Sequence, residues 1–134
     1  MEKTPDPLKP FIERLRAQGA DVRLSQTGNV LVIDFRPAPG KHAELDLNTL
    51  VNFDRLRELY LPDCRVDDNF LTGLSRLEKL QTLDLRQTQV TETGIAGLSS
   101  LPHLKLLLLS ANQVSESFLR TFRQQMIGTR IIVE

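Results

Sequence analysis

Leucines return along the middle of this chain at a constant interval. Leu56, Leu80 and Leu104 open three segments that align without gaps at a spacing of 24 residues, a period typical of stacked structural repeats. Within each segment Leu59, Leu83 and Leu107, then Leu61, Leu85 and Leu109, alternate with other residues. That period of two predicts a short strand with one buried face. Cys64, Thr88 and Asn112 follow in one column, where the chain must turn and place a small or hydrogen-bonding side chain inside; Val66, Val90 and Val114 pack beside it. Asp67, Thr91 and Ser115 then fall at one phase, all residues that favour a helix N-cap. Leu71/Ile95/Leu119 and Leu74/Leu98/Phe122 predict the inward face of a short helix after each cap. Leu77 and Leu101 complete that face, but the third segment has Gln125 there. Met126 or Ile127 is expected to fill the gap, on a longer last helix.

The flanks are patterned differently. Leu8, Phe11, Ile12 and Leu15 form one helical stripe. With Asp6 as N-cap, Pro7 at the first helical position and Gly19 as the stop, they predict a helix over about 7–18. Pro10 is tolerable in the first turn, where its missing N–H has no helical partner anyway. Val22 and Leu24, the turn residues Gln26-Thr27-Gly28-Asn29 and the β-prone run Val30 to Phe35 predict an antiparallel hairpin. A loop over 36–44 follows. Leu47, Leu50 and Phe53 then match Leu71, Leu74 and Leu77 at the offset of 24, whereas Ile33 and Phe35 precede Leu59 and Leu61 by 26. Residues 30–55 therefore constitute a degenerate first repeat with a two-residue insertion in the Pro/Gly loop. At the end, Ile131 and Val133 match Leu107 and Leu109 and add a strand over 130–134.

The sum is an α/β chain in a single domain: an N-terminal helix-plus-hairpin cap over 1–29, the degenerate repeat, three 24-residue repeats over 56–127 and a terminal strand over 128–134. The expected ladder has five parallel strands, with Val22 to Ser25 antiparallel on its outer edge. Stacking must bury the leucines that one repeat leaves bare. Leu83→Ala is therefore expected to cost roughly 2–5 kcal/mol.

Composition removes several classes of partner. Lys plus Arg equals Asp plus Glu at 17 each, so no net field draws the chain to nucleic acid or to an anionic membrane. No apolar run approaches the length of a membrane span, and the first residues lack the apolar core of a secretory signal. The lone Cys64 allows no intramolecular disulfide, which favours a reducing, cytoplasmic setting.

These columns resemble the leucine-rich-repeat superfamily, in the helical-backed form similar to ribonuclease-inhibitor-like repeats. The pattern LxxLxLxxTxVTxxGIxxLxxLxx that opens at Leu80 is also similar to short bacterial, planctomycete-type leucine-rich-repeat proteins. So is the GAxVxxxxxGxV pattern from Gly19 to Val30. The resemblance implies a short solenoid that binds other macromolecules through its strand face, and it carries no catalytic residue across. Cys64 and Asn112, where Thr88 has the commoner residue, and the run Leu106 to Leu109 depart from the pattern.

Residues between the buried leucines point out of the strand face. In rows they are Val32, Glu58, Thr82, Leu106 and Arg130; Asp34, Tyr60, Asp84, Leu108 and Ile132; Arg36, Pro62, Arg86, Ser110 and Glu134. Leu106, Leu108 and Ile132 make one end of this face apolar. With Tyr60, Asp84 and Arg86 they form the expected partner-binding set, for a protein or peptide. The face covers on the order of 300 Å², below the roughly 800 Å² that each partner of a standard interface contributes. It must recruit loops, bind a peptide or act transiently. Pairing of two copies through the apolar end or the last strand's edge, as a weak homodimer, is the alternative.

Catalysis has little to stand on. Asp67, Asp68 and Glu92 sit at helix starts, where carboxylates favour the dipole. His42 and His103 lack a second ligand at metal-site spacing, Cys64 sits in a packing column, and Arg120, Arg123 and Arg130 are diluted by Glu116 and Glu134. No nucleophile elbow, metalloprotease, phosphate-loop or dinucleotide motif is present. The expectation is no enzyme, no cofactor and no metal.

Overall fold

The period-two stretches of the sequence become six strands of one sheet in a computed structural model, which describes residues 8–38 and 47–134. They are β1 (Asp21–Leu24), β2 (Val30–Asp34), β3 (Glu58–Tyr60), β4 (Thr82–Asp84), β5 (Leu106–Leu109) and β6 (Arg130–Val133), and their order in the sheet is their order in the chain. β1 and β2 are antiparallel, and every later pair is parallel. Five parallel strands with an antiparallel outer one match the expected ladder. The register is that of the sequence columns: Leu59 lies beside Leu83, Leu83 beside Leu107 and Leu107 beside Ile131.

Helices return the chain between parallel strands. They are α2 (Leu47–Leu50), α3 (Asp68–Gly73), α4 (Glu92–Ala96) and α5 (Glu116–Gln125), while α1 (Lys9–Ala17) precedes β1. α3 and α4 each run on into a single 3₁₀ turn. The leucine columns meet between sheet and helices in one apolar core that extends from Ile12 to Ile131, with Leu59, Leu61, Leu74, Leu83, Leu85, Leu107 and Leu109 inaccessible to solvent. Met126 fills the place that Gln125 leaves, while Ile127 is 90% exposed. α5 is the longer last helix, its ring pair Phe118–Phe122 stacked at 5.2 Å.

Some local expectations fail. α1 begins at Lys9, not residue 7, with Leu8 at the cap position and no side-chain bond there. Asp6 and Pro7 lie outside the described residues, as do His42 and most of the loop that holds the insertion. Asp67 and Ser115 cap α3 and α5, accepting from the N–H of Phe70 and Phe118 at 3.1 Å each. Thr91 occupies the corresponding position but does not cap α4 with its side chain. Its hydroxyl is turned back to Asp68 instead.

The turn column also breaks in the third segment. After β3 and β4 the chain passes through left-handed residues, Asp63 and Gln87, each at φ 59°. The next side chain is then aimed inward, Cys64 buried and Thr88 half-buried. At the equivalent Ala111 no polar side chain offsets the left-handed penalty, and the chain takes a 3₁₀ turn over Ala111–Gln113. Asn112, expected inside, is exposed, and Gln113 is buried in its stead. Its amide group donates to the carbonyls of Leu85 at 2.9 Å and Thr88 at 3.2 Å, and its oxygen accepts from the Ser110 N–H at 2.8 Å.

Candidate functional site

Period two places Asp34 and Arg36 on one face of the sheet, and Asp84 and Arg86 on the same face two strands away. The two pairs adopt the same geometry. Arg36 donates from Nε to Asp34 Oδ1 at 3.0 Å and from Nη2 to Oδ2 at 2.8 Å. Arg86 repeats these bonds to Asp84 at 3.0 and 2.8 Å, and each arginine's backbone N–H bonds the same carboxylate. A planar fork on a carboxylate in this way holds both side chains flat against the sheet.

Tyr60 lies between them, since its strand pairs Asp34 on one side and Asp84 on the other. The Arg36 guanidinium covers its ring at 3.7 Å from the centroid, a cation–π contact. The Tyr60 hydroxyl donates to Glu58. Burial, and then this bond to a carboxylate, pushes the phenol pKa up to about 12. Burial also works to raise the Asp34 pKa, but the bonds from Arg36 outweigh it and hold the carboxyl below its ordinary value.

The expected contact set therefore divides. Asp84, predicted to be outward and available, has 0% exposure, and Tyr60 has only 9%. Both face outward, but an arginine two residues along a strand folds back over each row. Arg86 is itself fully engaged: its Nη1 donates to Oε2 of Glu134, the residue after β6, at 2.8 Å, tying the middle of the sheet to the end of its last strand. The Asp84 bond, and after it the Glu134 bond, keep its pKa above the usual guanidinium value against the pull of burial.

Leu106, Leu108 and Ile132 are half-buried and contiguous. Leu106 and Leu108 share a face of β5, Leu108 lies beside Ile132, and Leu106 beside Arg130. The result is an apolar floor bordered by the Arg86–Glu134 pair at one end and Arg130 at the other. Ser110, one row beyond, is buried and its Oγ accepts from the Gln87 N–H at 2.9 Å. The pairing of Asp34 with Arg36 was missed in the sequence reading; its signal was the repeated Asp-x-Arg at 34–36 and 84–86.

Two of the candidate reactive groups are taken up by the fold. Cys64 is buried and its thiol pKa is pushed up to about 12, chiefly by desolvation. Arg123 donates to the Ile131 carbonyl at 3.1 Å, so the basic cluster near the C-terminus is partly structural. Among the described residues no group of three His, Cys, Asp or Glu side chains converges as metal ligands. No helix among them is long and apolar enough to cross a membrane.

No protein-family model and no curated protein matches the sequence. Its fold does have a counterpart. The structure is similar to Leiomodin-1 Actin-Binding Site 2, with a TM-score of 0.61 over 98% of this chain and 81% of that one, at 10% identity. That likeness gives the chain a leucine-rich-repeat-like α/β fold. At such identity it carries the fold alone.

Proposed function

We propose that the chain is a non-catalytic protein-interaction module. In this reading it is a short leucine-rich-repeat solenoid in one domain, with α1 and the β1–β2 hairpin as its N-terminal cap. The strand face receives a protein or peptide segment. The carrying observation is the floor of Leu106, Leu108 and Ile132 beside the Arg86–Glu134 pair: apolar in the middle, charged at its borders. Fully desolvated apolar centres with polar rims are where binding energy concentrates. Asp84 and Tyr60 belong to the support of this surface rather than to its contacts. The fold likeness to a protein whose name states actin binding is in keeping with a macromolecular partner of some kind.

Affinity capture from the native source, with wild type and Leu108→Glu immobilised side by side, tests the reading. A protein held by wild type and lost by the variant supports it. Equal retention by a folded variant removes the strand face from the interaction.

Self-association is the second reading, favoured by the extension of the apolar floor to Ile132 on the last strand of the sheet. Arg123 already occupies the Ile131 carbonyl of that strand, so two copies would meet face to face rather than edge to edge. Light scattering at two concentrations decides it, since a strict monomer at both excludes pairing.

A further inference from the structure

The start of the ladder presents a second surface, separate from the strand face. Arg55 and Lys79 are 24 residues apart and occupy the same column, one position before the buried Leu56 and Leu80. Arg57 stands two residues after Arg55, at the mouth of β3, its backbone N–H bonded to the Leu31 carbonyl at 2.9 Å. The repeat spacing thus brings three cations to one edge of the sheet. Opposite them lies the β1–β2 turn, which is closed by the Gly28 N–H to Ser25 carbonyl bond and by Gly28 at φ +88°. Together Ser25, Thr27, Asn29, Leu31, Arg55, Arg57 and Lys79 line a cavity of about 270 Å³.

The charges in this cavity are uncompensated. It is lined by no acidic side chain, and among the described residues Arg55, Arg57 and Lys79 are absent from every ion pair. Of the acids beside Arg55 and Arg57 in the chain, Asp54 lines the adjoining cleft and Glu58 accepts from Tyr60. A chain of zero net charge has no general excess of cations to explain such a cluster. All three side chains are exposed, so an anion can reach them directly, and each adds to its attraction.

The hydroxyls add a donor. Ser25 Oγ accepts from the Asn29 N–H at 3.1 Å, and Thr27 Oγ1 accepts from the Asn29 side-chain amide at 3.1 Å. The two hydroxyls share one bond at 3.0 Å, which uses one of their two protons. The other proton is left to donate, beside the cations. The geometry points to a binding site for an oxyanion of the phosphate type, held by Arg55, Arg57 and Lys79 with a hydroxyl of the β-turn. The adjoining cleft shares Thr27, Asn29 and Arg55 with this cavity; Leu8, Ile12, Val30 and Phe53 supply its apolar wall, and Asn52 and Asp54 its polar one. A phosphate monoester with an apolar substituent fits the two together.

Isothermal titration at fixed ionic strength tests the site with two probes, inorganic phosphate and phenyl phosphate. Saturable binding of either is expected for wild type, with phenyl phosphate the tighter if the ester is the natural ligand and equal affinity if the free ion is. Arg57→Gln and Lys79→Gln should each weaken it about tenfold, the loss of one charge-assisted bond. Arg76→Gln, a cation on the helical side, should leave it unchanged. Absence of saturable binding to both probes overturns the proposal, and so does equal weakening by all three variants, which would mark general charge attraction rather than a site.

Discussion

Asp68 reaches across to Thr91, 23 residues on, and accepts from both its backbone N–H at 2.7 Å and its hydroxyl at 2.5 Å. The next segment repeats the relationship, Glu92 accepting from the Ser115 N–H at 2.6 Å. An acid in the first turn of one helix thereby satisfies the cap residue of the following one. Each helix start has a free N–H to offer, so the bond ties neighbouring segments together at their helix starts.

Gly94 makes this contact possible, and that gives a prediction of sign. A Cβ at Gly94 would sit 2.2 Å from Asp68 Oδ1 and 2.9 Å from its Cβ. Gly→Ala inside a helix ordinarily stabilises by roughly 0.5–1 kcal/mol. Gly94→Ala should instead destabilise, because Asp68 must swing away and abandon Thr91. Combined with Asp68→Ala, which removes the carboxylate but keeps the Cβ at 2.9 Å, the same change should destabilise less than it does alone. A double-mutant cycle from urea melts measures this; additive effects would show that the two residues do not meet.

The third segment's turn predicts an unequal pair. Gln113→Ala removes a buried amide that serves Leu85, Thr88 and Ser110; the Thr88 hydroxyl still serves Leu85, but the buried Ser110 N–H loses its partner, at about 1–3 kcal/mol. Asn112→Ala, at an exposed position, should stay within about 0.5 kcal/mol. The two denaturation midpoints decide it, and the reverse order would restore Asn112 to the inside.

What the sequence disclosed and what it hid follows from these examples. The leucine columns fixed strand order and register because each leucine has only one place to be buried, and one residue's slip would expose a whole row. Asn112 was misassigned, and the burial of Gln113 not foreseen, because column reading assumes equal turns, and the left-handed step at Asp63 and Gln87 fails at Ala111. Alternation also told which way Asp84 points but not whether it is accessible. That depends on the arginine two residues later, which the period-two rule leaves on the same face without stating that it folds back. The contribution of Asp68 was hidden for a different reason: as a first-turn acid it was assigned to its own helix, while its partner lies in the next one. The Arg55, Arg57 and Lys79 cluster needed the hairpin's position in space, which no column contains.

The buried acid–arginine pairs predict a pH dependence. Asp34 has its folded-state pKa lowered from 3.8, so its ionised form contributes stability above that value. The contribution is lost as pH falls through the lower, folded-state pKa, because the folded state resists protonation longer than the unfolded one. Urea midpoints between about pH 5 and pH 2 should fall for wild type and fall less steeply for Asp34→Asn. Parallel profiles would show that Arg36 does not hold the carboxylate in solution. The two pairs should also differ in strength at neutral pH. Asp84→Ala leaves Arg86, whose side chain is 26% exposed, without its buried partner and should cost about 3 kcal/mol. Asp34→Ala leaves Arg36 47% exposed, where water takes over, at about 1 kcal/mol or less.

The last prediction separates scaffold from surface. Leu83 and Leu108 occupy adjacent strands, one facing the core and inaccessible, the other facing outward and half-buried. Leu83→Ala removes packed volume from the middle of the stack, where neither sheet nor helix can close the gap, and should cost about 2–5 kcal/mol. Leu108→Ala removes a side chain that water already reaches, and should cost about 1 kcal/mol or less, in line with other substitutions near the surface. Thermal melts of the two variants measure the contrast. Comparable losses would mean that Leu108 serves packing, and its place in a binding surface would fall. A small loss at Leu108 with a large one at Leu83 leaves its outward leucine unexplained by stability, which is the condition under which a lost partner in the capture experiment is a statement about the interface.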